Sequence, residues 1–162
     1  MPRAPAALSA IRKTRLETIA SATLAVETSG EGFSEITRDI TGFLTEIDAR
    51  DGVVLLHLRH TSASLVIQEN ADPDVQTDLV TALKRIAPDN AGWIHDSEGP
   101  DDMPAHIRAA LTLTQLSIPV EHGRLALGTW QGVYLFEHRA MSHCRSLALH
   151  LLGAGAEEQA RA

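Results

Sequence analysis

The chain contains 162 residues, of which 44% are hydrophobic and 22% charged, a balance typical of one globular domain. Fourteen Lys and Arg against twenty-one Asp and Glu leave a formal net charge of -7. This charge argues against sequence-independent nucleic-acid binding, which depends on neutralising phosphates. The single cysteine, Cys144, excludes a disulfide scaffold, and no uncharged apolar run approaches the roughly 18 residues of a membrane span. Together these features predict a cytoplasmic protein that is not embedded in a membrane.

Charge and composition divide the chain into three parts. Residues 1–15 contain Arg3, Arg12, Lys13 and Arg15 but no acidic residue, and they predict a flexible basic arm, with an organelle transit peptide as the alternative. Residues 16–153 form the predicted domain. Residues 154–162 are small and polar and predict a flexible tail.

Apolar periodicity predicts strands in runs, with helices between them. Asp72 and Pro73 mark one helix start, because an oxygen cap precedes a proline at the first helical position. Pro104 marks a second, shorter helix, for which Ile107 and Leu111 are the expected packing face. In chain order, the prediction is a strand at 17–27, a helix over 36–47, strands at 53–60 and 63–69, the two proline-led helices, and strands at 115–121, 124–128, 131–138 and 144–152. This order indicates an α+β fold built on a mainly antiparallel sheet.

His60 is the first candidate for chemistry. Side chains alternate along a strand, so His60 shares a face with Val54, Leu56 and Leu58 and is expected to point inward where the strand ends. A polar group removed from water must be hydrogen-bonded or bind a ligand. His60 is therefore either a core histidine bonded to a carbonyl or part of a site.

Residues 95–107, HDSEGPDDMPAHI, hold a second cluster of polar residues. Asp102 precedes His106 by four positions, so its carboxylate could orient that imidazole, as is usual for metal-bound histidines. A metal site here requires the fold to bring His60 towards His95 and His106. The alternative is a solvated acidic loop in which Asp102 caps the helix.

The other candidates lie at strand ends and turns. Residues 123–139 predict a glycine-rich corner in which Trp130 either fills the core or stacks on a ligand, and in which Gln131 offers an amide. Glu137 ends the strand that follows. Asn70 either adopts a positive φ at its turn or reaches a ligand.

Three segments resemble, in order and spacing, the YjbQ-like family, some of whose members are labelled secondary thiamine-phosphate synthase. The segments are HTSASLVIQENADPDV (60–75), HDSEGPDDMPAHI (95–107) and GTWQGVYLFEHR (128–139). The resemblance implies a compact α+β fold with an antiparallel β-sandwich or barrel-like core, and a homotrimer. It also implies a weak ability to make thiamine phosphate, with the primary role unknown.

The resemblance also implies a set of site residues. His60, His95 and His106 would hold a divalent metal, Zn²⁺ or Mg²⁺, and His60 and Glu137 would take part in catalysis. The substrate, a small phosphorylated metabolite, would contact Asn70, Trp130, Gln131 and Arg145. Cys144 and Ser146 flank Arg145 where a second arginine is common in the family, which puts a two-arginine phosphate clamp in doubt. Two other functions are compatible with these residues: a metal-dependent hydrolase of a phosphorylated metabolite, and a non-enzymatic anion-binding module.

Overall fold

Two antiparallel sheets carry the fold in the computed structural model, which describes residues 10–154. Residues 1–9 of the predicted arm (1–15) and residues 155–162 of the predicted tail (154–162) lie outside the described residues. The chain order is β1 (Thr18–Glu27), β2 (Gly32–Glu35), α1 (Thr37–Glu46), β3 (Gly52–Leu58), β4 (Ala63–Glu69), α2 (Pro73–Ile86), α3 (Asp102–Leu111), β5 (Gln115–Glu121), β6 (Arg124–Leu125), β7 (Gln131–Glu137) and β8 (Cys144–Gly153).

The larger sheet has the strand order β1-β8-β3-β5-β6. Its inner face follows the period of two in β3, where Val54, Leu56 and Leu58 are buried and His57 is exposed. A two-residue turn joins β5 to β6, with His122 at φ 51° and Gly123 at φ 76°. Two consecutive positive φ values match a type I′ hairpin.

The smaller sheet has the order β2-β7-β4, and one bridge between Leu65 and Leu113 connects it to the larger sheet. In β7 every residue from Gly132 to Glu137 is buried. The two sheets form one curled, antiparallel half-barrel around a single apolar core, as predicted. The short strand β2 was not predicted; it exists because Gly32 to Glu35 pair with Glu137 to Tyr134 of β7.

Three helices accompany the sheets. Ile40 and Leu44 of α1 are buried in the core, as its periodicity predicts. Asp72 caps α2 by accepting a hydrogen bond from the Asp74 N–H at 2.9 Å, although no residue of α2 is buried in the single chain. No helix within residues 10–154 is long and apolar enough to cross a membrane.

The predicted packing face of α3 is wrong. Leu111 is 58% exposed and Ile107 is only partly buried, whereas Pro104, Ala105 and Ala109 face inward. Arg108 also faces inward and is 2% exposed, because its guanidinium donates to Glu31, Asp89 and the Ala87 carbonyl. A buried arginine with these partners satisfies its charge, so α3 packs through a polar residue that hydropathy alone places outside.

Candidate functional site

Two imidazoles and one carboxylate converge at the start of α3. One ligand atom from each of His95, Asp102 and His106 lies within 4.8 Å of the other two. His95 Nε2 is 3.0 Å from Asp102 Oδ2, and His106 Nε2 is 3.5 Å from Asp102 Oδ1. The two imidazole rings are 5.3 Å apart, centroid to centroid. We refer to these three residues as the His–Asp cluster.

The hydrogen bond of His106 determines which ring nitrogen carries its proton. His106 Nδ1 lies 3.0 Å from the Thr61 carbonyl oxygen, which can only accept. Nδ1 therefore carries the hydrogen, and in the neutral ring the Nε2 lone pair faces Asp102. A backbone carbonyl that holds one ring nitrogen is the usual support for a histidine that binds metal through the other. Thr61, and not Asp102 as predicted, therefore orients the His106 ring, and Asp102 is itself a candidate metal ligand.

Asp102 is buried and keeps one oxygen without a hydrogen-bond partner. Its side chain is 3% exposed, and Oδ1 accepts from Arg139 Nη1 at 2.7 Å. Oδ2 has no hydrogen-bond partner among the described residues, because His95 Nε2, although 3.0 Å away, does not meet it in hydrogen-bond geometry. A buried carboxylate oxygen without a donor is costly and favours a cation at that position.

Carboxylates outnumber cations around the cluster. Arg139 is the nearby arginine, and it bonds Asp101, Asp102 and Glu98 together. Asp101 also accepts from the Ala140 amide. Burial opposes the charge of Asp101, but the hydrogen bonds from Ala140 and Arg139 outweigh it and lower the pKa of this carboxyl. The local balance is negative, as suits a divalent cation.

The donor set indicates which metal fits. Two imidazole nitrogens and one carboxylate oxygen leave an open fourth position in a tetrahedral zinc site, which is the catalytic arrangement of that ion. Mg²⁺ prefers oxygen ligands and octahedral geometry, so the cluster suits it less well.

Glu137 and Arg145 form a buried ion pair behind this cluster. Their side chains are 0% and 1% exposed, and two bonds of 2.6 Å join the carboxylate to Arg145 Nε and Nη2. Glu137 also accepts from the Thr28 hydroxyl and from the amides of His138 and Arg139. Burial opposes ionisation, but the Arg145 hydrogen bonds outweigh it and lower the pKa of Glu137.

These contacts assign Glu137 and Arg145 different roles from those expected. Five donors occupy the Glu137 carboxylate, so it is poorly placed to take a proton from a substrate. Arg145 is turned into the interior and does not present its charge to a ligand at the surface. Both act as positioning residues, and Arg145 Nη2 extends the network by donating to Ser62 Oγ at 3.2 Å.

His60 lies outside the His–Asp cluster. Its side chain is exposed in the single chain, because β3 ends at Leu58 and the alternation does not continue to residue 60. Its Nδ1 lies 3.1 Å from Ser62 Oγ and accepts from the Ser62 amide at 3.2 Å. Within one chain the structure therefore brings His95 and His106 together with Asp102, and among the described residues this close group does not include His60.

The remaining predicted residues lie at the other end of the small sheet. Ala63 pairs with Glu137 and Glu69 pairs with Gln131, so six residues of strand separate the two ends, about 20 Å. Asn70 donates to the carbonyls of Thr129 and Gln131, and its φ is not positive. Within one chain these residues do not join the His–Asp cluster.

The corner at residues 128–131 lies at the same end of the small sheet as Asn70, away from the His–Asp cluster. The Gln131 side chain accepts from the Gly128 amide at 2.8 Å, so its amide shapes the turn. Trp130 is 66% exposed, so of its two predicted roles it does not fill the core within one chain.

Two residues that hold the cluster were not predicted. Arg139 follows β7 and Thr61 follows β3, and each acts through a contact with α3 that is distant in sequence. The acidic composition of residues 95–107 was the available signal for a cationic partner such as Arg139. No sequence signal marks a backbone carbonyl such as that of Thr61.

A family model and the sequence relatives of this chain carry the same family description. A family model described as "UPF0047 protein YjbQ-like" matches residues 22–154. A UPF0047 protein of Synechocystis is 47% identical over 80% of this chain and 89% of its own length. The UPF0047 protein YjbQ of Salmonella typhimurium is 42% identical over 81% of this chain and 96% of its own.

Solved structures agree with the sequence relatives. A crystal structure from Clostridium acetobutylicum, described as an uncharacterized conserved protein of the YjbQ/UPF0047 family, has a TM-score of 0.75 at 32% identity. It covers 81% of this chain and 99% of its own. A conserved hypothetical protein from Thermus thermophilus has a TM-score of 0.72 at 36% identity, covering 81% of this chain and 99% of its own.

Proposed function

The chain belongs to the YjbQ-like UPF0047 family, and from that premise we propose that it is a divalent-metal-dependent enzyme acting on a small phosphorylated substrate. The observation that carries the proposal is the tautomer of His106, whose Nε2 faces Asp102 Oδ1, together with the unpaired Oδ2 of the same carboxylate, which lies 3.0 Å from His95 Nε2. The Thr61 carbonyl fixes the proton on Nδ1, and the Nε2 lone pair then faces a carboxylate. Two acceptors that face each other in this way need a cation or a proton between them.

His95, Asp102 and His106 would hold the metal, with Zn²⁺ as the best match to their donor atoms. When bound, the ion supplies positive charge for phosphate oxygens or for a leaving group. The protein's own residues contribute the rest. Thr61 fixes the His106 ring, Arg139 fixes one oxygen of Asp102, and the buried Glu137–Arg145 pair holds Ser62 in place.

The reaction implied by the family resemblance is formation of thiamine phosphate as a secondary activity. That transfer joins a pyrimidine methyl diphosphate to a thiazole phosphate and releases pyrophosphate. The leaving diphosphate carries the charge that a divalent ion neutralises. A metal held by the His–Asp cluster would suit such a leaving group.

Hydrolysis of a phosphorylated metabolite is the second candidate. The observation that favours it is the donor set of His95, Asp102 and His106, because two imidazoles and one carboxylate are ligands of catalytic zinc sites, where the ion would supply an activated water. A non-enzymatic anion-binding module is the third, and it differs from both by binding phosphate without turnover.

We also propose a homotrimer in which a neighbouring subunit completes the site. Asn70, Trp130 and Gln131 lie at the end of the small sheet opposite Glu137, about 20 Å along the strands within one chain. Trp130 and Met141 are 66% and 75% exposed, and no residue of α2 is buried. Exposed apolar side chains of this kind are typical of subunit interfaces. In a closed ring of three subunits, the end of the small sheet that carries Trp130 and Gln131 would lie against the His–Asp cluster of the neighbouring subunit.

The experiment compares the native protein with protein stripped by a chelator and then reloaded with Zn²⁺ or Mg²⁺. Each form is assayed for thiamine phosphate formation and for hydrolysis of a panel of phosphate monoesters. We expect turnover that is lost on stripping and restored by Zn²⁺. Undiminished turnover in the stripped protein would contradict the proposal, and phosphate binding without any turnover would favour the module.

A matched pair of variants links the result to the cluster. Asp102→Asn removes the charge of the candidate ligand, whereas Asp96→Asn removes the charge of an exposed neighbour in the same loop. We expect the first variant to lose Zn²⁺-restored turnover by about tenfold or more, as is typical for metal-site changes. The second variant should behave as the native protein does.

A further inference from the structure

His60 is held by the opposite hydrogen-bond pattern from His106. Two groups approach its Nδ1, the Ser62 amide at 3.2 Å and the Ser62 hydroxyl at 3.1 Å. The amide N–H can only donate, so Nδ1 must accept and cannot carry a hydrogen. In the neutral ring the hydrogen then resides on Nε2.

The buried ion pair reinforces this assignment. The Arg145 guanidinium can only donate, and its Nη2 lies 3.2 Å from Ser62 Oγ. The Ser62 oxygen accepts there and directs its own hydrogen towards His60 Nδ1. Ser62 is 2% exposed and Arg145 is 1% exposed, so the contacts from Glu137 through Arg145 to Ser62 are shielded from water, and only His60 reaches the surface.

The charge state agrees with the geometry. Partial burial, together with the nearby positive charge of Arg145, lowers the pKa of His60. A lowered pKa favours the neutral ring that the hydrogen bonds select, and its donating nitrogen, Nε2, is engaged by no other described residue.

His60 lines an open groove of about 470 Å³ that can admit a small molecule. Arg59 also lines the groove, is exposed, and forms no ion pair with any residue in 10–154. Thr61 and Thr114, whose side chains carry hydroxyl groups, also line the groove. A free guanidinium, two hydroxyls and one N–H are donors that recognise an anionic oxygen.

We propose that His60 is a substrate-contacting residue that donates a hydrogen bond from neutral Nε2–H to an anionic oxygen of a ligand in this groove, and that it is not a metal ligand. A metal would need the Nε2 lone pair, which this tautomer does not offer. The inference deepens the proposed function, because the ligand it expects is the phosphorylated substrate of the same site. Thr61 connects the groove to the His–Asp cluster, because its carbonyl orients His106 and the same residue lines the groove beside His60.

The first test reads the tautomer directly by long-range ¹H–¹⁵N correlation NMR of histidine-labelled, metal-free protein. The His60 signals are assigned by their disappearance in His60→Gln. We expect a protonated Nε2 and an unprotonated Nδ1. A protonated Nδ1 in His60 would overturn the inference.

The second test measures binding of inorganic phosphate and of Zn²⁺ to two variants. Glutamine can place an amide N–H near the position of Nε2, whereas leucine cannot donate. We expect His60→Leu to weaken phosphate binding roughly tenfold or more, and His60→Gln to stay within about threefold of the native protein. The control His150→Leu changes an exposed histidine of β8 that does not line this groove, and it should bind phosphate as the native protein does.

Zn²⁺ binding separates this inference from the proposed function. All His60 variants should keep the native Zn²⁺ affinity, and a loss of Zn²⁺ in His60→Gln would overturn the assignment. Native protein that binds no Zn²⁺ would defeat the proposed metal enzyme. The tautomer and the phosphate affinities, both measured on metal-free protein, would still decide the role of His60.

Discussion

Glu137→Gln tests the buried ion pair that holds the site together. The native carboxylate meets Arg145 through two bonds of 2.6 Å, with both side chains at most 1% exposed. Glutamine keeps the size and can still accept from the amides of His138 and Arg139, but it leaves the Arg145 charge without a counterion. Removing one partner of a buried pair costs about 3–5 kcal/mol. We expect a loss of this size in the free energy of unfolding.

Urea unfolding at a fixed protein concentration measures this loss, because self-association would otherwise change the apparent stability. In a thermal scan the same loss corresponds to roughly 6–20 °C. The control is Glu121→Gln, since Glu121 pairs with Arg12 where the two side chains are 57% and 49% exposed. That surface pair should contribute about 1 kcal/mol or less. Equal losses in the two variants would refute the reasoning.

Three further predictions concern pH, assembly and the arm. Burial, with the charge of Arg108, lowers the pKa of His138 from 6.5 to about 4, so the unfolded chain binds a proton in a range where the folded chain does not. Protonation of the unfolded chain at this residue should therefore lower the free energy of unfolding by about 3 kcal/mol as pH drops from near 6.5 to near 4. In urea titrations at several pH values, His138→Asn should reduce this pH dependence, and the exposed control His57→Asn should not. Light scattering should give three times the chain mass of 17.5 kDa, and a monomer at micromolar concentration would contradict the trimer. Deleting residues 1–15 should shift the melting temperature by only a few degrees, because the described contacts of Arg12 with Glu121 and His122 are exposed; a larger drop would mean that the arm is docked.

Local patterns were sufficient to predict most of the fold. Alternation in β3 and the Asp72–Pro73 start of α2 are encoded by neighbours in sequence, and both are confirmed. The strand β2 and the inward face of α3 are not encoded locally. The first depends on pairing with β7, about a hundred residues later in the chain, and the second on partners that neutralise Arg108.

The candidate site was predicted in part for the same reason. His106 and Asp102 lie one helical turn apart, so their proximity could be read from spacing, and His95 follows from the short loop before them. His60 was expected to join them because strand alternation was extended two residues past the end of β3. The roles of Thr61, Ser62 and Arg145 depend on which atoms donate and which accept, and residue types alone do not determine this.

The most direct test of the metal site is Zn²⁺ binding by His106→Ala, measured calorimetrically beside the native protein and the control His57→Ala. His106 is 32% exposed at its side chain, so its loss should change the free energy of unfolding by less than about 1 kcal/mol. We predict one Zn²⁺ per chain in the native protein and in His57→Ala, and affinity at least about tenfold lower in a folded His106→Ala. Unchanged Zn²⁺ affinity in His106→Ala, or no Zn²⁺ binding by the native protein, would contradict the assignment of His95, Asp102 and His106 as a metal site.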